Sequence, residues 1–146
     1  MKNAFSMIEL IFVIVVLGIL SAIAIPKFSA TRTDAVVAKT RSDVASIRAA
    51  IVTERQSRLI KGDKNYISKL HNANDTFFDT NGSSQLLMYG IKATNTNEHW
   101  QENPTTSGTI TKYIFVLSDN NNTFEYDSSK GTFLCTSGDS CSILTE

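Results

Sequence analysis

An apolar run near the N-terminus, Phe5 to Ile25, constrains this chain more than any other feature. From Leu10 onward the run has no charged residue, and only Gly18 and Ser21 are not strongly apolar. As an α-helix the run would be about 31 Å long, close to the ~30 Å hydrocarbon core of a bilayer. The sequence therefore predicts a helix that spans a membrane.

A secretory signal peptide is one interpretation of this run. Lys2 would supply the positive charge, Leu10 to Leu20 the apolar segment, and 22–24 (AIA) the small-residue cleavage site. Glu9 opposes this interpretation, since a carboxylate carried to mid-membrane costs about 2–3 kcal/mol and a signal peptide has no use for it. The helical pattern also continues beyond the cleavage site to Lys61 without a cluster of turn residues.

Residues 4–10 (AFSMIEL), with the apolar run behind them, resemble the class III prepilin signature of type IV pilins and type II secretion pseudopilins. The family pattern is GFTLIEL, and Ala4 departs from it because the family strongly prefers glycine there. The resemblance implies that a prepilin peptidase cuts between Ala4 and Phe5 and that Phe5 is then N-methylated. Glu9 falls at the fifth mature position, the acidic position of the family.

Glu9 is predicted to act in assembly. A buried carboxylate is tolerated when it is paired, so in a stack of helices Glu9 can meet the Phe5 ammonium of its own or a neighbouring helix and set their register. Gly18 and Pro26 weaken the helix, since Pro26 removes a backbone hydrogen bond and clashes with the carbonyl of Ala22. We expect a kink there, with local melting between Gly18 and Pro26 on filament assembly.

The charges are distributed unevenly, although 14 basic and 14 acidic residues cancel over the 146-residue chain. Segment 26–61 holds eight basic and three acidic residues, a net of +5, whereas segment 62–146 holds five basic and ten acidic, a net of −5. The zero total does not favour a basic nucleic-acid binder. The basic face of 26–61 could contact DNA, be solvated, or pair with the acidic heads of neighbouring subunits.

An apolar stripe predicts that segment 26–61 continues the helix. Ala30, Val37, Val44 and Ile51 recur every seven residues, and Gly62 is placed to end the helix. The stripe could pack on a sheet of the same chain or form a coiled coil. It is rich in alanine and its neighbouring positions are polar, which favours the sheet.

The remaining residues predict an antiparallel sheet of three or four strands, so the fold class is α+β. The resemblance implies a pilin-like fold with the long helix across this sheet. The predicted strands are 85–92, 110–118, 123–127 and 132–136, with turns at 119–122 and 128–131, a loop at 93–108 and a short helix around 67–72. The predicted domains are a leader (1–4), a transmembrane helix (5–25), an amphipathic helix (26–61) and a periplasmic head (62–146).

Two cysteines, Cys135 and Cys141, lie close together near the C-terminus. They could form half a metal site, a redox pair or a disulfide, and a disulfide is the simplest interpretation for an exported head. His71 and His99 lie too far upstream to complete a zinc motif and are expected in loops or at the surface. The resemblance places a disulfide-bounded loop at this edge of the head.

No catalytic motif or cofactor-binding loop occurs, so neither an enzyme nor a cofactor is predicted. No metal site is predicted, and residues 119–122 with Asp127 are expected to form an Asx-rich turn. A calcium loop at Asp119 and Asp127, which the resemblance to major pseudopilins suggests, is the alternative. Trp100 could be an exposed binding residue or a core residue.

The predicted function is that of a structural filament subunit, in a type II secretion pseudopilus or a DNA-uptake (competence) apparatus. The alternatives are a type IVa pilus subunit for adhesion or motility, and a Sec-exported periplasmic binding domain. The partners that the resemblance implies are pilin-like subunits, a prepilin peptidase, an assembly ATPase and a platform membrane protein. The expected location is the bacterial inner membrane, with the head in the periplasm and the assembled filament there or on the cell surface.

Overall fold

A computed structural model of the chain describes residues 5–71, 76–78, 80–81 and 84–145, with side chains except at 29–30, 76–77, 80–81 and 84–85. A long N-terminal helix precedes a four-stranded antiparallel sheet, so the predicted α+β class is confirmed. The chain divides into two compact units, Met1–Val36 and Val37–Glu146. The predicted leader, with Ala4, lies outside the described residues.

The helix α1 spans Met7–Ile60, 54 residues without interruption. Ser6 caps its start, since the Ser6 hydroxyl accepts a hydrogen bond from the Ile8 amide at 3.3 Å. Gly62, at a φ of 86°, ends it: the Gly62 amide donates to the Leu59 carbonyl, and the next amide reaches back to Arg58. This is the Schellman arrangement, so the predicted role of Gly62 is confirmed.

The first unit, which extends to Val36, contains the apolar run of α1. Every side chain from Phe5 to Ile23 is exposed, and an 18-residue window of the helix has a mean hydropathy of 2.9. The helix is long and apolar enough to cross a membrane, although a signal sequence meets the same criteria. Pro26 lies inside the helix, and the kink expected there stays a prediction.

The second unit contains the main sheet, in the order β5–β6–β7–β8 with antiparallel neighbours. Its strands are β5 (Thr105–Ser107), β6 (Ile110–Leu117), β7 (Asn120–Asp127) and β8 (Thr132–Ser137). Two small antiparallel pairs join β1 (Thr76–Phe77) to β4 (Ile91–Lys92), and β2 (Thr80–Asn81) to β3 (Ser84–Gln85). A short helix, α2 (Cys141–Thr145), follows β8.

Buried side chains alternate along β6 and β7, so one face of the sheet forms the core. Trp100 lies at the centre of this core and is 2% exposed. Its ring centroid lies 5.1 Å from Phe124, 5.3 Å from Phe115 and 5.5 Å from Phe78. Of the two roles considered for Trp100, the structure therefore supports the core residue.

Within the second unit, α1 buries Val44 and Ile51 of the predicted stripe, together with Ile47 on the same helix face, whereas Val37 is half-buried. Val44, Ile47 and Ile51 are at most 2% exposed, and the helix is joined to β8 by a 3.0 Å hydrogen bond from Arg48 Nε to the Phe133 carbonyl. The stripe thus packs within its own chain, as predicted. The side chain of Ala30 lies outside the described residues.

Two predicted elements are wrong, and hydrogen bonds to the core explain why. Residues 67–71 form no helix, because the Tyr126 hydroxyl donates to the Ile67 carbonyl at 2.7 Å and the Leu70 amide donates to the Tyr113 hydroxyl at 2.9 Å. The predicted strand 85–92 is interrupted by a bend at 86–89, where the Leu87 amide donates to the carbonyl of Phe78. Residue 72, the end of the predicted helix, lies outside the described residues.

Two further corrections concern the hairpin and the long loop. The turn predicted at 119–122 is shorter and earlier: Ser118 and Asp119 have φ of 50° and 65° and join β6 to β7 as a two-residue loop. Positive φ at both positions is the requirement of a type I′ turn, which matches the twist of the strands. The predicted loop 93–108 contains β5.

Replacing Gly131 by alanine is expected to destabilise the second unit by about 1–3 kcal/mol more than the same change at Gly108. Both glycines have a left-handed φ, 69° and 60°, so each change costs about 1–2 kcal/mol in backbone strain. A Cβ at Gly131 would also collide with the Tyr66 ring, whereas a Cβ at Gly108 meets open space. Denaturant unfolding of the two variants measures the difference, and equal costs would contradict the Tyr66 contact.

Candidate functional site

The start of α1 brings Phe5 and Glu9 together on one face. With Leu10 and Val13 they line a shallow apolar groove. Phe5 is 80% exposed, and Glu9 lies in the first helical turn, where a carboxylate is favoured by the helix dipole. Ser6 and Glu9 also have the spacing of a capping box. The sequence predicted both Phe5 and Glu9, whereas Ala4 lies outside the described residues.

Glu9 is exposed and forms no ion pair with any residue that the structure describes. The residues around it on the helix are apolar, so in a membrane this carboxylate would need a cation from elsewhere. The predicted partner is the ammonium that cleavage before Phe5 would create. The pairing therefore stays a prediction that depends on processing.

Gly18 has open space around it in the single chain, since a Cβ built there meets no atom within 4 Å. No packing contact within the chain requires a glycine at this position. Glycine lowers helix stability by about 1 kcal/mol relative to alanine. This is consistent with the predicted weak segment from Gly18 to Pro26, whose melting stays a prediction.

Three arginines of α1, seven residues apart, hold the helix to the rest of the second unit. Arg41 Nε donates to the Ile143 carbonyl in α2, and Arg48 Nε donates to the Phe133 carbonyl in β8. Arg55 lies over the Tyr66 ring, 4.5 Å from its centroid. We call Arg41, Arg48 and Arg55 the arginine ladder.

In the sequence these arginines were predicted only to form part of a basic face. The signal that could have found them is their spacing, because each lies four residues after a member of the apolar stripe and so beside it on the helix. Arg58 is also used within the chain, with Glu54 at 3.0 Å and Asp63 at 2.9 Å. Less of the basic face is therefore left for DNA, a contact that stays an unsupported prediction.

Cys135 and Cys141 form a disulfide, as predicted. The buried Asn122 side chain holds the enclosed loop: its Oδ1 accepts a hydrogen bond from the Ser140 amide at 3.0 Å, and its Nδ2 donates to the Asn120 carbonyl. Gly138, at a φ of 132°, leaves no room for a Cβ against Asn122. The loop between the cysteines is thus fixed to the start of β7.

Asp119 and Asp127 are the two calcium candidates of the sequence, and the structure does not bring them together. They lie at opposite ends of β7, about 25 Å apart by strand geometry. Asp119 accepts a hydrogen bond from Asn97 at 3.1 Å, whereas Asp127 accepts one from the Ser129 amide at 2.9 Å, an Asx-turn. The Ser129 hydrogen bonds lower the pKa of Asp127. The described residues contain no group of three side chains suited to hold a metal.

The two histidines have different surroundings. Both lie in segments outside the helices and strands, as expected, but His99 is exposed whereas His71 is buried. His71 Nδ1 lies 2.8 Å from the Tyr113 hydroxyl, and burial lowers the pKa of His71. This pair joins residues 70–71 to the sheet core, a structural role that explains the burial.

The chain was also compared with known proteins. It matches no family model, no curated protein and no solved structure.

Proposed function

We propose that this chain is a structural subunit of a type II secretion pseudopilus or a related DNA-uptake filament. Its N-terminal helix would anchor it in the membrane and then hold neighbouring subunits together. The observation that carries the proposal is the single helix α1. It begins at the Ser6 cap, where Phe5 and Glu9 line one groove, and it buries Val44 and Ile51 in the core of the second unit.

The exposed apolar surface of α1 supports an assembly role. The side chains from Phe5 to Ile23 are exposed in the single chain, and a surface of that size needs lipid or other helices to cover it. Lipid would cover this surface while the subunit lies in the membrane, and the helices of identical subunits would cover it in a filament. Apolar contacts alone would allow neighbouring helices to pack in several registers, and the ion pair of Glu9 would select one of them.

The remaining partners follow from the resemblance of residues 4–10 to prepilins. A prepilin peptidase would cut before Phe5 and methylate it, and an assembly ATPase with a platform protein would extract the subunit from the inner membrane. The head would face the periplasm, where the Cys135–Cys141 disulfide is chemically stable. In this proposal the chain is a substrate of enzymes and not itself an enzyme.

A type IVa pilus subunit for adhesion or motility is the second candidate. The observation that favours it is the disulfide-bounded loop at the C-terminal edge, where pilins commonly carry such a loop. A Sec-exported binding domain is the third candidate. It requires cleavage near residue 24, inside α1 and at a position with no turn.

Deletion of the gene in its source bacterium tests the function. Protein secretion, DNA uptake and surface fibres would be measured in the deletion strain and in a strain complemented with the intact chain. Loss of secretion or DNA uptake without loss of surface fibres supports the pseudopilus, whereas loss of fibres and surface motility supports the type IVa pilus. A filament role would be contradicted if secretion, DNA uptake and surface fibres were all unchanged in the deletion strain and the chain were found free in the periplasm.

A further inference from the structure

The arginine ladder leaves positive charge without a negative partner. Its acceptors are two neutral carbonyls and an aromatic ring, and none of the three arginines pairs with a carboxylate among the described residues. Arg48 is half-buried and uses its Nε for the Phe133 carbonyl. Its two Nη groups therefore remain available for a carboxylate.

Arg48 borders a groove of about 220 Å³ between α1 and β8, the edge strand of the sheet. Two exposed apolar side chains line the same groove, Val52 at 57% and Leu134 at 52% exposure. The groove thus combines one cation with two exposed apolar side chains. We call it the α1–β8 groove, formed by Arg48, Val52 and residues 131–134.

A surface with the complementary chemistry lies on the same unit. Among the carboxylates that the structure describes after residue 61, Asp139 alone is exposed without a hydrogen bond or ion pair. It lies on the loop that the disulfide and Asn122 hold in place. Four residues later, Ile143 of α2 is 42% exposed and adds an apolar side chain.

We propose that the disulfide loop and α2 of one copy dock in the α1–β8 groove of a second copy. Asp139 would pair with Arg48, and Ile143 would pack against Val52 and Leu134. Charge complementarity selects this occupant, because the groove carries the unneutralised cation and the loop carries the unpaired carboxylate. The inference rests on the proposed filament function and names the contact between its heads.

Each copy offers one groove and one loop, so the contact can repeat from copy to copy. A heterologous contact that does not close into a ring generates a helical polymer. The ion pair would lie at the rim of the contact, where salt screens charges over about 8 Å at physiological ionic strength. Association of the heads is therefore expected to weaken at high salt.

Charge reversal in the full-length chain, purified in detergent micelles, tests the docking. Arg48→Glu and Asp139→Lys are each expected to weaken association at least tenfold in sedimentation experiments. The double variant, which restores opposite charges, is expected to recover to within about threefold of the wild-type chain. Lys61→Glu makes the same charge change at the exposed end of the helix segment and is expected to have no effect.

Loss of the Arg48–Phe133 hydrogen bond could unfold Arg48→Glu, so circular dichroism accompanies each measurement. Asp139→Lys keeps the test decisive, because Asp139 makes no contact that its folding needs. The docking would be overturned by any of three results. Asp139→Lys associates as strongly as the wild-type chain, the double variant associates no more strongly than the single variants, or the wild-type chain is monomeric. Cleavage at residue 24 would instead overturn the proposed function, so the two failures are distinguishable.

Discussion

Replacing Glu9 by valine is expected to leave the chain in the membrane and to abolish its assembly into filaments. Valine removes the carboxylate from an apolar helix face, so insertion becomes easier. The predicted ammonium of Phe5 would then be buried between helices without a counter-ion. Removing one partner of a buried ion pair costs about 3–5 kcal/mol, which corresponds to at least a hundredfold in the association constant.

The measurement is the yield of sheared or extracted filaments relative to the amount of membrane-bound subunit. Asp34→Val is the matched control, because Asp34 is an exposed carboxylate of the same helix outside the apolar run. Its loss is expected to leave the filament yield within about twofold of the wild-type chain. If Glu9→Val assembles as well as Asp34→Val, Glu9 does not set the register between helices. It would then only cap the helix or reach towards water at the membrane surface.

Replacing Trp100 by alanine is expected to give the largest loss of stability in the second unit. Trp100 is 2% exposed, and its ring contacts aromatic side chains from β6, β7 and β8. Removing a buried aromatic side chain of this kind costs about 3–5 kcal/mol, since it leaves a cavity in addition to lost apolar burial. For a unit of this size we expect the midpoint of thermal unfolding to fall by about 10–20 °C.

Tyr89→Ala is the control for Trp100→Ala, because Tyr89 is 82% exposed and a surface change of this kind stays within about 0.5 kcal/mol. Near-ultraviolet circular dichroism measures the thermal unfolding midpoint of both variants. Because Trp100→Ala removes the only tryptophan, tyrosine fluorescence provides a second measurement of the midpoint. A Trp100→Ala chain as stable as Tyr89→Ala would mean that the aromatic core is not the centre of the fold.

The regular parts of the fold could be predicted because their patterns repeat. The uninterrupted helical pattern from Phe5 to Lys61 predicted α1, and the runs rich in β-branched and aromatic residues predicted β6, β7 and β8. The buried stripe on α1 was predicted from its seven-residue spacing. Local propensity and tertiary packing agree in these elements.

The conformations of residues 67–71 and 86–89 could not be predicted, because hydrogen bonds to distant residues fix their backbone. Ile67 and Leu70 bond to tyrosine hydroxyls 59 and 43 residues away, and these bonds replace the helical ones that the local sequence favours. Such tertiary hydrogen bonds leave no local pattern. The I′ turn at Ser118 and Asp119 was misplaced because neither residue is glycine, the residue that usually signals positive φ.

The residues of the candidate site also divide into those that a local sequence pattern predicts and those that it does not. Phe5 and Glu9 could be predicted from a short local motif, and the structure places them on one helix face. The structure does not bring the calcium candidates Asp119 and Asp127 together, because Asp119 precedes the extended strand β7 and Asp127 ends it. The arginine ladder was missed because its acceptors are backbone carbonyls, which no sequence pattern marks.

The most direct test of a filament subunit is the N-terminal residue of the mature chain. The full-length chain would be expressed in its source bacterium, extracted from the membrane fraction, and its N-terminal peptide analysed by mass spectrometry. A chain that begins at Phe5 and carries one added methyl group on its amine is the predicted result. A chain that begins at Ile25 and is found in the periplasmic fraction would contradict the proposed function.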